Sequence, residues 1–250
     1  MHNETIHGFL VLNKPKGAIS FDCIRALKKF FPKKTKIGHT GTLDDGAQGL
    51  LIICIGKEAT RCSGTIMNVR KEYVVTAKLG ELTDSLDYMG KVLETHDASH
   101  ITRRDLEGAL AQLGSSYLQT PPIYSALKHE GKPLYKLARH ELLDQETLED
   151  IIQTKKRVVQ LYETQLLDYN NPYFSLRACV SKGTYVRSLA HDLASSLGVP
   201  ATTYELIRTA IGSITLDDAV ELDALQSYED VVNHLLTVEE MSSRLGSEEY

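Results

Sequence analysis

Three stretches of the sequence hold residue types that can do chemistry. The first, GHTGTLDDGAQGLL (38–51), sets four glycines, His39 and the adjacent carboxylates Asp44 and Asp45 between a lysine-rich segment and an apolar run. Glycine lets backbone approach a ligand closely, and a carboxylate in such a loop can serve as nucleophile or general base. No Gly-Lys-Ser/Thr follows, so this is not a phosphate-binding P-loop. No His or Cys lies at metal-ligand spacing from the two carboxylates. The alternative reading is a polar turn with Asp at turn positions.

The second stretch, LGELTDSLDYMG (79–90), offers Asp84 and Asp87. Paired carboxylates suit a glycosidase, but their spacing does not match the alternating ligands of an EF-hand, and a solvated structural loop is expected. The third, SKGTYVRSLAHDL (181–193), puts Lys182 and Gly183 before a helix whose first turn carries Tyr185 and Arg187. A helix N-terminus with cations beside it can hold an anion or carboxylate. His191 and Asp192 resemble a dyad on paper, but adjacent helical positions point about 100° apart and do not face each other. Basic and aromatic residues also interleave in YSALKHEGKPLYKLARH (124–140). That mixture suits phosphate contacts with base stacking, and equally a solvated amphipathic helix.

The elements that must position these residues follow from periodicity. HGFLVLN (7–13) reads as a strand ended by Pro15 and Gly17, and SFDCIRALKKFF (20–31) as a helix with Ser20 as N-cap, stopped by Pro32. Leu50–Ile55 is an apolar strand, and KEYVVTAKLG (71–80) alternates so that Tyr73, Val75, Ala77 and Leu79 share a face. Thr102 and Asp105 resemble a capping box. Residues 118–150 look like an exposed arm, followed by strands at 156–168 and 173–180 and a helix over 184–198. No regular βαβ rhythm is present, so the expected class is α+β around a mixed, largely antiparallel sheet flanked by helices and loops.

Over 250 residues, 28 Lys+Arg stand against 33 Asp+Glu, a net charge of −5. Taken whole, that argues against a nucleic-acid partner. The distribution reverses it: residues 1–41 hold 8 Lys+Arg and 2 Asp+Glu, whereas residues 217–250 hold 1 and 10. The body is cationic and the tail acidic. No apolar run reaches the roughly 18–20 residues of a membrane span, and no signal peptide is read. Cys23, Cys54, Cys62 and Cys179 form no C-x-x-C pair. Reduced thiols in the cytoplasm, without structural zinc, are expected.

GFLVLNKPKGAISFDCI, GHTGTLDDGAQGLLIICIGKEATR, KEYVVTAKLGELTDSLDYMG, PPIYSALKHEGKPLYKLAR and SKGTYVRSLAHDLASSLG occur in this order from residue 8 to about 212. Together they resemble the motifs of the TruB family of bacterial tRNA pseudouridine-55 synthases. The resemblance implies a pseudouridine synthase fold over residues 1–216, with the 118–150 arm as a thumb-like insertion. It implies that uridine 55 in the TΨC arm of tRNA is isomerised without cofactor or metal: the base is detached, rotated and rejoined through carbon.

By position, Asp44 falls on the family's essential aspartate, and Tyr73 on the tyrosine that stacks on the target base. Arg187 falls on the arginine paired with that aspartate, with Tyr185 in the same motif. His39 matches a histidine that holds the flipped-out conformation, Lys14 the N-terminal Lys-Pro motif, and Leu206 an apolar pocket residue. There are departures: Asn13 stands for the usual Asp, Asp45 for Pro and Gln48 for Thr. A carboxylate beside Asp44 either raises its pKa or points into solvent. Residues 217–250 are expected to form an acidic helical tail where a PUA RNA-binding domain would begin, and to be the part least in touch with tRNA. A monomer is the default expectation. The rival classes are a catalytically silent RNA-binding module and a nucleoside N-glycosidase using Asp44 with Asp84 or Asp87.

Overall fold

The computed structural model describes residues 6–245. In chain order the first elements are β1 (Gly8–Lys14), α1 (Ser20–Lys28), β2 (Ile37–His39), β3 (Gln48–Ile55), α2 (Gly56–Asn68) and β4 (Lys71–Leu79). Next come β5 (Glu81–Thr83), β6 (Val92–Thr95), α3 (Arg103–Leu113) and β7 (Ser116–Gln119). The arm adds β8 (Lys128–His129), β9 (Lys132–Pro133), α4 (Leu134–Arg139) and α5 (Gln145–Gln153). β10 (Arg157–Asn170), β11 (Tyr173–Val180), α6 (Val186–Ser195) and β12 (Ala201–Ile211) follow. The last elements are β13 (Ile214–Thr215), β14 (Val220–Glu221), α7 (Tyr228–Asn233), β15 (Leu235–Leu236) and α8 (Val238–Leu245). The chain divides into two compact units, one up to Tyr73 together with residues from Leu206 onward, the other Val74–Glu205.

In the first unit, β1 and β3 pair antiparallel from Gly8 opposite Ile55 to Lys14 opposite Gly49. Both strands are apolar at nearly every position because both faces are covered. Phe9 and Val11, with Leu50, Ile52 and Cys54, pack against Ala59 and Ile66 of α2 and Met241 and Leu245 of α8. Leu10 and Leu12, with Leu51, Ile53 and Ile55, pack against Cys23, Ile24 and Leu27 of α1 and Val231 of α7. β12 joins β3 in parallel through Ile207 and Arg208. The approach is close: Gly49 has φ +112°, and a Cβ there would lie 2.4 Å from the Arg208 carbonyl oxygen. Only glycine tolerates that site.

The acidic segment after residue 216 is built into this unit. β14 pairs parallel with Leu12 and Asn13 of β1, and β15 pairs antiparallel with Phe9 and Leu10. Leu225, Val231, Met241 and Leu245 are buried among its charges. Asn13, one of the departures, donates to the Glu221 carboxylate at 2.6 Å.

In the second unit β10 and β11 form a long antiparallel hairpin, with β7 on the other edge of β10 and β4 beside β11. Val75, Ala77 and Leu79 of β4 and Phe174, Leu176, Ala178 and Val180 of β11 are buried at every second position. α3 opens on the expected capping box of Thr102 and Asp105. The arm has its own small core of Ile123, Leu134, Leu137, Leu148, Ile151 and Ile152.

Candidate active site

Asp44 lies on the loop between β2 and β3, and its backbone surroundings are tied down residue by residue. Lys14 is wholly buried, and its ammonium donates to the carbonyls of Pro15 (3.1 Å), Ala18 (2.6 Å) and Ala47 (2.6 Å). Gly17 N–H donates to the Asp45 carbonyl at 2.9 Å. Ser20 is not the N-cap of α1, a place taken by Ile19. Its hydroxyl instead accepts from Leu43 N–H and donates to Leu43 C=O, both at 2.9 Å. Ala47 N–H closes the turn onto the Asp44 carbonyl at 3.1 Å. The half-buried Asp44 is therefore presented by a loop whose neighbours on either side are bonded, Leu43 to the first residue of α1 and Asp45 to the turn after β1. Such preorganisation is what a nucleophile needs.

Burial lowers the pKa of Lys14, and the nearby Cys23, Asp45 and Asp44 charges oppose that effect. With no exposed atom, Lys14 acts through the loop it ties. His39 Nδ1 accepts from Gly41 N–H at 3.3 Å. Burial and then the charge of Arg208 push its pKa below the ordinary imidazole value, so the ring is neutral at pH 7. Tyr73 is half-buried and Leu206 buried, both within this first unit.

Arg208 is the residue that motif reading passes over. Its guanidinium is 2% exposed and donates to the carbonyls of Leu50 (2.6 Å), Gly41 (3.3 Å) and Thr42 (3.5 Å). It thus staples the two ends of the Asp44 loop. The available signal is a lone arginine in the strand segment LIRTAI, two residues after Leu206 and so on the same inward face.

In the second unit Arg187 is 4% exposed on the first turn of α6. It donates to the carbonyls of Ser85 (2.5 Å) and Tyr124 (2.9 Å) and pairs with Asp87 at 3.2 Å. The 84–90 loop is therefore not merely solvated, since Asp87 grips this arginine. Asp84 is spent on Lys91 N–H (2.9 Å) and the Tyr124 hydroxyl (3.3 Å). Tyr185 is held by a strand: its N–H donates to Gln119 Oε1 at 2.8 Å, and its carbonyl accepts from Gln119 Nε2 at 3.0 Å. The Arg157 guanidinium lies 5.2 Å from the centre of its ring and donates to the Gly183 carbonyl. Arg157 and Gln119 are register partners across β10 and β7.

His191 and Asp192 do not pair. The imidazole faces the Ala201 carbonyl and Ser195, while Asp192 accepts from the Tyr117 hydroxyl at 3.0 Å. Burial raises Asp192 to about 6. Cys23 and Cys54 are buried, and burial pushes the Cys54 thiol up to about 12. Among the described residues no group of three His, Cys, Asp or Glu side chains is placed to hold a metal. No helix among them is long and apolar enough to cross a membrane.

A family model described as TruB family pseudouridylate synthase (N terminal domain) matches residues 28–186. The tRNA pseudouridine synthase B of Clostridium tetani is 36% identical over 239 residues, covering 96% of this chain and 79% of that protein. Its counterpart in Francisella philomiragia is 39% identical over 237 residues, covering 94% and 75%. Among solved structures, one chain of an H/ACA RNP bound to a substrate RNA containing 2'-deoxyuridine superposes with a TM-score of 0.64 at 20% identity. That match covers 95% of this chain and 61% of the other, and shows the shared fold.

Proposed function

We propose, from the premise that this chain belongs to the TruB family of pseudouridylate synthases and is an isomerase acting on tRNA, that it converts uridine 55 of the TΨC arm with Asp44 as nucleophile. The observation that carries the reading is the loop of residues 43–47, tied by Ser20, Gly17 and Lys14 so that Asp44 has a fixed backbone. The reaction breaks the bond between N1 and C1′, rotates the uracil and joins C5 to C1′; the C5 proton passes to solvent and N1 takes one up, so the product is an isomer of the substrate. Nothing is oxidised or reduced, and no cofactor or metal is assigned.

A carboxylate can attack C1′, attack C6, or assist glycal formation, and in each case must be ionised. Arg187 is assigned as the cation that an ionised nucleophile needs, an assignment resting on the G-T-Y-V-R resemblance. Asp87 and the Ser85 and Tyr124 carbonyls hold that arginine. Flipping a uridine out of a folded RNA loop costs roughly a few kcal/mol. Stacking on Tyr73, at about 1–3 kcal/mol per base, offsets part of it. By their places in the family's motifs, His39, neutral at pH 7, is assigned to holding the flipped loop, Leu206 to lining the base pocket and Tyr185 to binding the substrate. The protein is assigned to the cytoplasm as a monomer, in keeping with its reduced thiols and its tRNA substrate.

The test is mass-spectrometric mapping of pseudouridine in a tRNA transcript. Product confined to uridine 55 supports the assignment, and product elsewhere or free uracil overturns it.

A further inference from the structure

The first unit carries helices on both faces of its sheet, and its exposed charge is divided between them. On the face packed against Leu10 and Leu12, α1 and the turn to β2 expose Arg25, Lys28, Lys29, Lys33, Lys34 and Lys36. The one carboxylate in residues 20–41 is Asp22, which pairs with Arg25 at 2.7 Å. None of the five lysines has an ion-pair partner among the described residues. Phe21, 50% exposed on the first turn of α1, has the Arg25 guanidinium 5.6 Å and the Lys28 ammonium 5.7 Å from its ring centre. Lys29 lies 4.7 Å from the ring centre of Phe30.

Six like charges in so short a stretch repel each other, and a phenyl ring left in water forgoes the burial that would stabilise the fold. Both features suit a polyanion with flat faces. α1 also starts at Ser20, whose hydroxyl is bonded to Leu43, the residue before Asp44. The patch therefore adjoins the loop that presents the nucleophile.

We propose that the exposed face of α1, with Phe21 and the cations from Arg25 to Lys36, is a second contact surface for the tRNA. Phosphates meet the lysines, and an unpaired base outside the reacting position stacks on Phe21. This rests on the tRNA reading above. It is one-sided: the opposite face exposes Lys57 and Arg61 of α2 beside Glu58, and α8 there adds Glu239 and Glu240. On the α1 side, Asp223 is exposed between Leu222 and Leu225, Asp230 of α7 is spent on the Gln226 and Ser227 amides, and α7 exposes the carboxylate of Glu229, whose neighbour Tyr228 packs edge-on against Phe31. Removing that charge should strengthen RNA binding.

The experiment measures affinity of the full chain for a tRNA transcript across a salt series. In K28Q/K29Q/K33Q/K34Q the slope of log affinity against log salt should fall by about 0.7–0.9 for each phosphate no longer neutralised, roughly 3 in all. Affinity near 0.1 M salt should drop at least about tenfold. F21A should weaken binding on the order of 5- to 150-fold with the slope unchanged, and E229Q should tighten it. K57Q/R61Q, on the other face, should alter neither quantity. Thermal unfolding of each variant checks that these exposed substitutions leave the fold intact. An unchanged slope in the quadruple variant, or an equal loss in K57Q/R61Q, overturns the proposal. Pseudouridine formation by the wild type is read in parallel. Its absence defeats the functional assignment, whereas product formation with an unchanged slope defeats this surface alone.

Discussion

Replacing Arg208 with methionine keeps a long side chain in β12 and removes the staple across the Asp44 loop. The bond to the Leu50 carbonyl, at 2.6 Å, is charge-assisted and worth about 1.5–3 kcal/mol. Those to Gly41 and Thr42, at 3.3 and 3.5 Å, are long, together on the order of 1 kcal/mol. Against them stands the cost of burying a cation that is 2% exposed, which is several kcal/mol and is relieved by methionine. The net loss of stability should be about 0–2 kcal/mol, a fall in Tm of no more than roughly 8 °C for a chain of this size.

Activity should respond far more, because a loop misplaced by about 1 Å costs on the order of 100-fold. Single-turnover pseudouridine formation with excess enzyme should therefore fall about 100-fold while the protein stays folded. A second reading comes from electrostatics. The Arg208 charge is among the causes that hold His39 low, so the imidazole titration, followed by NMR, should move up in R208M. A rate within about threefold of wild type, or an unmoved His39 titration, would refute the reasoning.

Asp192→Asn tests a second buried group. Burial raises Asp192 from 3.8 to about 6, so between those values the native state holds a proton that the unfolded chain has lost. Its contribution is full below pH 3.8 and lost as pH rises through about 6. Denaturant unfolding of the Asn variant should show a gain of about 1–3 kcal/mol above pH 6 and a flatter slope below it. Gly49→Ala, with its Cβ aimed at the Arg208 backbone from φ +112°, should cost at least about 3 kcal/mol by the same measurement. Deleting residues 217–250 removes both β1 edge partners and the buried Leu225, Val231, Met241 and Leu245. Each such side chain is worth about 1.5–3 kcal/mol, so circular dichroism should show an unfolded or aggregated first unit rather than a trimmed enzyme.

The sequence was most readable where one period dominates. β10, β11 and the alternating face of β4 lie where period-two patterning puts them, and the Thr102–Asp105 cap is local chemistry. α2 is harder, because only Gly56, Ala59 and Ile66 of its residues are buried. Ser20 looks like an N-cap, but its hydroxyl is claimed by Leu43, a partner 23 positions away that local patterning cannot reveal. The acidic tail misleads for a related reason. Its charges dominate the count, while four well-spaced apolar residues decide that it packs. Motif types point to Asp44 in the first unit and to Arg187 and Tyr185 in the second. The roles of the side chains that hold neighbouring groups in place, Arg208, Asp87 and Gln119, come from the folded geometry, since each acts through a backbone group or charge distant in sequence.

The most direct test of the account is Asp44→Asn, assayed by mass-spectrometric mapping of pseudouridine in a tRNA transcript alongside tRNA affinity. Wild-type protein should form pseudouridine at position 55, and the variant none above background while keeping an affinity within about threefold of wild type. Pseudouridine formed by the variant at the wild-type rate would contradict the account.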